Sequence, residues 1–137
     1  MSEENKAIVR RWVEAFNEGN LDAVDELVTD SYVRHDPNAP EVRGPEKEKS
    51  LIAMYRSAFP DLHFTVQDMV AEGDRVVTRI GIRATHKGEL LGIPATEKQL
   101  AFTAMELYRI ADGKIEEQWV NVDTLGMMQQ LGAIPIP

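Results

Sequence analysis

The sequence predicts an α+β domain in which helices cover one face of a single curved, mostly antiparallel sheet, and the sheet folds round a pocket. Apolar residues recur at helical spacing as far as Pro60, whereas from Asp61 onward the period is two. Gly73-Asp74 and Ala111-Asp112-Gly113 then divide the alternating region into hairpins.

Residues 3–17 set Ile8, Trp12, Ala15 and Phe16 at helical spacing, and Glu18-Gly19-Asn20 stops that helix. Asn20-Leu21-Asp22 restarts a helix through Ala23, Val24, Leu27 and Val28. Tyr32 to Asp36 is short and extended, because Pro37 disfavours helical angles at Asp36. Pro37 to Arg43 is expected to be a loop. Gly44-Pro45-Glu46 opens a third helix whose face holds Leu51, Met54, Tyr55 and Ala58, and Pro60 closes it.

Leu62, Phe64 and Val66 alternate with polar neighbours in a first strand. After the Gly73-Asp74 turn, Val76 to His86 forms its partner, with Val76, Ile80, Ile82, Ala84 and His86 on one face and Arg75, Arg79 and Arg83 on the other. A turn-rich connection, Lys87 to Lys98, leads to a strand from Leu100 to Ile110. On the last strand, which follows the Gly113 turn, alternation puts Ile115, Glu117, Trp119, Asn121 and Asp123 on one face and Val120 and Val122 on the other. Thr124 to Gly132 reads as a short final helix. The sheet face that carries the arginines is expected to meet solvent or a symmetric partner.

At 137 residues the chain, 1–137, is expected to be one domain with a single core. Its 23 acidic and 15 basic residues give a net charge of -8, with the basic ones scattered, which disfavours nucleic acid and anionic membrane as partners. The first residues lack the apolar core of a secretory signal and no run is long enough to span a bilayer, so a soluble, cytoplasmic protein is expected. The absence of cysteine removes disulfides, thiol nucleophiles and thiolate metal sites. Chemistry then falls to carboxylate, imidazole, hydroxyl or amine. Phosphate loops, nucleophile elbows and dinucleotide fingerprints are also missing.

The candidate groups are His35, Asp36, His86, Glu106 and Asp123. Asp123 is a preferred N-cap for the final helix. It also shares a face with Trp119, and a carboxylate held in an apolar pocket titrates nearer neutrality, which suits a general acid or base. Asn121 is either a donor to a substrate carbonyl or an exposed strand amide. His35 and Asp36 are adjacent, so on a regular strand at most one enters the pocket. His86 is read either at a pocket rim or as a partly buried histidine satisfied by backbone. Glu106 shares its face with Phe102, Ala104 and Tyr108, as a pocket acid or at the edge of a subunit contact. Trp12, Phe16, Tyr32, Tyr55 and Trp119 are core residues first, some of which would line a cavity. His63 faces away from the apolar side. No ligand spacing supports a metal at His35, His86 and Asp123.

Trp12-Val13-Glu14-Ala15-Phe16-Asn17-Glu18-Gly19-Asn20-Leu21-Asp22, Tyr32-Val33-Arg34-His35-Asp36-Pro37 and Phe59-Pro60-Asp61-Leu62 resemble the SnoaL-like polyketide cyclase family. Gly73-Asp74-Arg75-Val76-Val77, Thr85 to Pro94, Tyr108-Arg109-Ile110, Asp112-Gly113-Lys114-Ile115, Trp119 to Asp123 and Gln130-Leu131-Gly132 follow in the family's order. The resemblance covers nearly the whole chain. It implies the cone-shaped nuclear-transport-factor-2-like fold, a homodimer, and cofactor-free, metal-free closure of a polyketide ring by intramolecular aldol condensation on a small hydrophobic carbonyl compound. It assigns the acid/base role to Asp123, with His35 and His86 orienting substrate or sharing the proton. Asp36 and Glu106 resemble the general base and pocket acid of the related ketosteroid isomerases, but Trp12 stands where those enzymes have an oxyanion-hole tyrosine. Ala84 and Ala95-Thr96-Glu97-Lys98 depart from the cyclase pattern. A non-catalytic binding or dimerisation module of the same fold is the alternative reading.

Overall fold

The computed structural model describes residues 2–135. Helix α1 (Ser2–Glu18) forms because Val9, Trp12, Val13 and Phe16 make one buried stripe at i, i+3, i+4 and i+7. Gly19 ends it with a φ of 66°, and the Gly19 and Asn20 amides donate back to the Phe16 and Ala15 carbonyls. Helix α2 (Asp22–Leu27) is short and buries Val24 and Leu27. Helix α3 (Pro45–Ala58) starts on its proline and buries Glu48, Ile52 and Ala58. Helix α4 (Thr124–Leu131) buries Met127 and Leu131. No helix among the described residues is long and apolar enough to cross a membrane.

The strands are β1 (Val28–Asp36), β2 (Ala39–Arg43), β3 (His63–Glu72), β4 (Arg75–Thr85), β5 (Gln99–Ala111) and β6 (Lys114–Val122). They form one sheet in the order β2-β1-β6-β5-β4-β3, antiparallel throughout except for the parallel pair β1 and β6. Val76, Ile80, Ile82 and Ala84 of β4 and Leu100, Phe102, Ala104 and Tyr108 of β5 turn their side chains into the core, where α1, α2, α3 and α4 cover them. The side chain of Asn17 ties α1 to β3, accepting from the Phe64 amide at 2.7 Å and donating to the Phe64 carbonyl at 2.9 Å. This is the α+β arrangement expected of the sequence, helices packed on one face of a single mostly antiparallel sheet.

Three local features differ from that expectation. Residues 37–43 are not a loop throughout: Ala39–Arg43 pairs with β1 as the edge strand, where Pro40 leaves no missing donor in the interior of the sheet. Helix α2 stops at Leu27 and β1 begins at Val28, earlier than Tyr32, because the parallel pairing with β6 extends it. The third difference lies in β6. Ile110 pairs with Ile115 but Arg109 pairs with Glu117, so Glu116 is the extra residue of a bulge. Ile115 is therefore on the inner face with Gln118 and Val120, all buried, while Glu117, Trp119 and Asn121 face outward. The bulge separates residues that strict alternation would put on one side.

Candidate active site

The inner face of the sheet holds a buried polar cluster contributed by β1, β5, β6 and α3. Tyr32 and Arg34 alternate inward from β1, and Glu48 meets them from the buried stripe of α3. The Tyr32 hydroxyl donates to Gln118 Oε1 at 2.7 Å and lies 3.3 Å from Glu48 Oε1, and Arg34 Nη1 donates to Glu48 Oε2 at 3.3 Å. On β5 the Tyr108 hydroxyl donates to Glu106 Oε1 at 2.6 Å. Trp12, Phe16 and Phe64 wall the crevice into which Arg34, Glu106 and Gln118 project. No gap in it is wide enough for a water molecule.

Two carboxyls share one guanidinium here, and burial dominates their titration. Desolvation raises Glu106 above the ordinary glutamate value, against the pull of Arg34 and the Tyr108 hydrogen bond. Glu48 is raised for the same reason, with Arg34 opposing. Burial works against the charge of Arg34, but Glu48, Tyr32 and Glu106 outweigh it and hold the guanidinium protonated. Desolvation also raises the Tyr55 hydroxyl, with Arg34 opposing and Asp36 and Glu48 adding to it.

The residues singled out in the sequence fall into separate places. Trp12, Phe16 and Glu106 line the interior crevice, and Tyr32 joins its cluster. His35, Asp36, Trp119 and Asn121 instead line a shallow groove of about 300 Å³ at the β1–β2 edge. There His35 stacks on Trp119 with ring centroids 5.4 Å apart and lies between Glu117, 2.6 Å from Nε2, and Glu41, 3.1 Å from Nδ1. Burial alone would raise Glu117, but its bonds with His35 and Arg109 hold it below the ordinary value. His86 is fully buried, not at a rim: Nδ1 accepts from the Thr96 amide at 3.2 Å under the 87–98 connection, and the ring tilts against Phe59. His63 is exposed.

Asp123 does not lie in an apolar pocket beside Trp119. The bulge turns Trp119 outward, and Asp123 is exposed at the start of α4, where Oδ1 accepts from the Gly126 amide at 2.9 Å. Oδ2 makes no hydrogen bond among the described residues and packs over Gly126, where a Cβ would collide with it. The β1–β2 turn approaches this point: Asn38 Nδ2 donates to Thr124 Oγ1 at 3.3 Å, and Asp36 Oδ1 accepts from the Asn38 amide at 2.8 Å. Asp36, Asn38, Thr124 and Asp123 thus meet at one end of the sheet.

A model of the SnoaL-like polyketide cyclase family matches residues 6–131. The chain belongs to that family. As a SnoaL-like polyketide cyclase it is an enzyme of cyclase type, and it is 35% identical over 130 residues to the aklanonic acid methyl ester cyclase DauD of Streptomyces sp. (strain C5), covering 91% of this chain and 80% of that one. AclR of Streptomyces galilaeus, a candidate hydroxylase, superposes with a TM-score of 0.89 at 30% identity over 100% of this chain and 87% of its own. A SnoaL-like polyketide cyclase candidate from Jannaschia sp. CCS1 shares the fold, with a TM-score of 0.90 at 24% identity over 98% and 96% of the two chains.

Sequence reasoning did not find Arg34, Glu48 and Gln118. Two of them carried a signal: Arg34 is two residues from Tyr32 on β1, and Glu48 precedes Ile52 and Tyr55 at i+4 and i+7 on α3. Gln118 carried none, because the Glu116 bulge reverses the face it would otherwise take.

Proposed function

We propose that this cyclase closes a ring of a hydrophobic, carbonyl-containing polyketide ester by intramolecular aldol condensation, with Asp123 moving the proton. The observation that carries the reading is the division of labour within one carboxylate: Oδ1 caps α4 and Oδ2 has no hydrogen-bond partner among the described residues. A general base needs such a lone pair within reach of the carbon acid. In the reaction Asp123 takes a proton from the carbon beside one carbonyl. The resulting enolate carbon then bonds to a second carbonyl carbon of the same molecule, and the alkoxide so formed takes up a proton. No atom is lost or gained. His35 is engaged by Glu41 and Glu117, and His86 is fully buried under the 87–98 connection, so proton transfer is assigned to Asp123 alone.

The substrate class follows from the family and from the name of DauD. We further infer that the uncovered outer face of the sheet, with Met105 and Val70 exposed on it, meets a second copy of the chain. A cytoplasmic location fits the absence of cysteine. The test is incubation with aklanonic acid methyl ester followed by chromatography and mass measurement. An isomeric product of unchanged mass is expected. A product heavier by one oxygen atom, as for a hydroxylase, or no conversion, contradicts the reading.

A further inference from the structure

Strand β6 ends at Val122, opposite Ala104 of β5, so the first residues of β5 have β4 on one side and, among the described residues, no strand on the other. Helix α4 lies there instead. The Asp123 amide donates to the Thr103 carbonyl at 2.8 Å and extends the β5–β6 ladder by one bond. Two residues back along β5, Gln130 stands in for the missing strand. Its Oε1 accepts from the Ala101 amide at 2.8 Å, and its Nε2 donates to the Ala101 carbonyl at 2.7 Å. A glutamine amide carries the same donor and acceptor pair as a peptide group, so it closes both backbone groups at once. Beyond it, Lys98 Nζ donates to the Leu131 carbonyl at 3.3 Å, a cation at the C-terminal end of the helix.

Asp123 and Gln130 bracket α4 and are separated by about two helical turns, which puts both on the helix face that meets β5. Met127 and Leu131 press the helix onto the core, but apolar contacts have no direction and do not set where it sits along β5. The paired bonds of Gln130 do. A slide or rotation of α4 at that point carries through the helix to its first turn, where the Gly126 amide holds Asp123 Oδ1 and thereby fixes the direction in which Oδ2 is presented.

We propose that Gln130 is a positioning residue for the cyclase reaction: by binding both backbone groups of Ala101 it sets the register of α4 along β5, and so the aim of the Asp123 carboxylate. This role rests on the reading of Asp123 as the acid/base group and adds to it a residue that acts only through Asp123.

The test is Gln130→Met, which keeps the length of the side chain and removes both bonds. Turnover of aklanonic acid methyl ester is expected to fall about 10-fold with KM within about twofold, since the base is misaimed while the binding surface is kept. In the Asp123→Asn background the same substitution is expected to lower the residual turnover by less than about twofold, because no base is left to aim. NMR needs no turnover: Gln130→Met is expected to shift the Gly126 amide signal, and the wild-type Ala101 amide is expected to be protected from hydrogen exchange. Unchanged kcat, an equal loss in the two backgrounds, or an unmoved Gly126 signal overturns the proposal. Exchange of the wild-type Ala101 amide as fast as in an unfolded chain overturns it too, even if the variant fails to fold. Full turnover by Asp123→Asn alone defeats the acid/base reading and with it the kinetic role of Gln130, whereas a shifted Gly126 signal in Gln130→Met then still supports its hold on the register of α4.

Discussion

Single side chains decide whether the two polar centres work. At Gly126 a Cβ would collide with the Asp123 carboxylate, so Gly126→Ala is expected to displace the cap, cost about 1 kcal/mol in denaturant unfolding, and lower turnover although Gly126 offers no functional group. In the buried cluster Arg34 is the one cation facing Glu48 and Glu106. Arg34→Met leaves buried carboxyls without it and is expected to lower stability by about 3–5 kcal/mol. The pH dependence follows from the direction of the shifts. Glu106 is raised by burial, so the stability held in its protonated form is complete below the ordinary glutamate value of 4.5 and is lost as pH rises through the higher folded value. Glu106→Gln mimics the neutral form. Its melting temperature relative to wild type should therefore rise between about pH 4 and pH 8, and a gap independent of pH would contradict the assignment.

Elements place those side chains. Helix α4 closes the end of the core through Met127 and Leu131, and Leu131→Ala is expected to cost about 2–4 kcal/mol by chemical denaturation. The helices, the β3–β4 and β5–β6 hairpins and the Asp123 cap were legible in the sequence because each rests on local chemistry: a stripe at helical spacing, a Gly-containing turn, an Asp before a helix. Asp112 and Gly113, for example, both take positive φ, 51° and 76°, as a two-residue hairpin turn requires. The edge strand β2 was not legible, since Ala39-Pro40-Glu41 has no strand pattern and pairs only because β1 lies beside it. The Glu116 bulge was hidden for a related reason. Continuing the alternation from Ile115 gives a plausible face, and only the partner strand shows where the register slips.

At the scale of the molecule, the cone brings together residues that sequence cannot: Arg34, Glu48, Glu106 and Gln118 come from four elements and share one interior. The same topology leaves the outer face of the sheet uncovered, and sedimentation velocity is expected to give twice the mass of one chain. Substitution of the exposed Met105 by Glu should shift that toward the monomer, because a charge then sits in the middle of the face. The candidate site was legible in part. The role of Asp123 as the cap of α4 could be read from the end of β6, while its surroundings could not, because Trp119 turns away and the polar interior is assembled by long-range packing.

The measurement that tests the account most directly is the turnover of Asp123→Asn on aklanonic acid methyl ester. Asparagine is as good an N-cap as aspartate, so the Gly126 bond and the fold are retained while the base is removed. The account predicts turnover lowered at least about 100-fold, with the melting temperature and substrate affinity close to wild type. Turnover equal to wild type in a folded Asp123→Asn protein would contradict it.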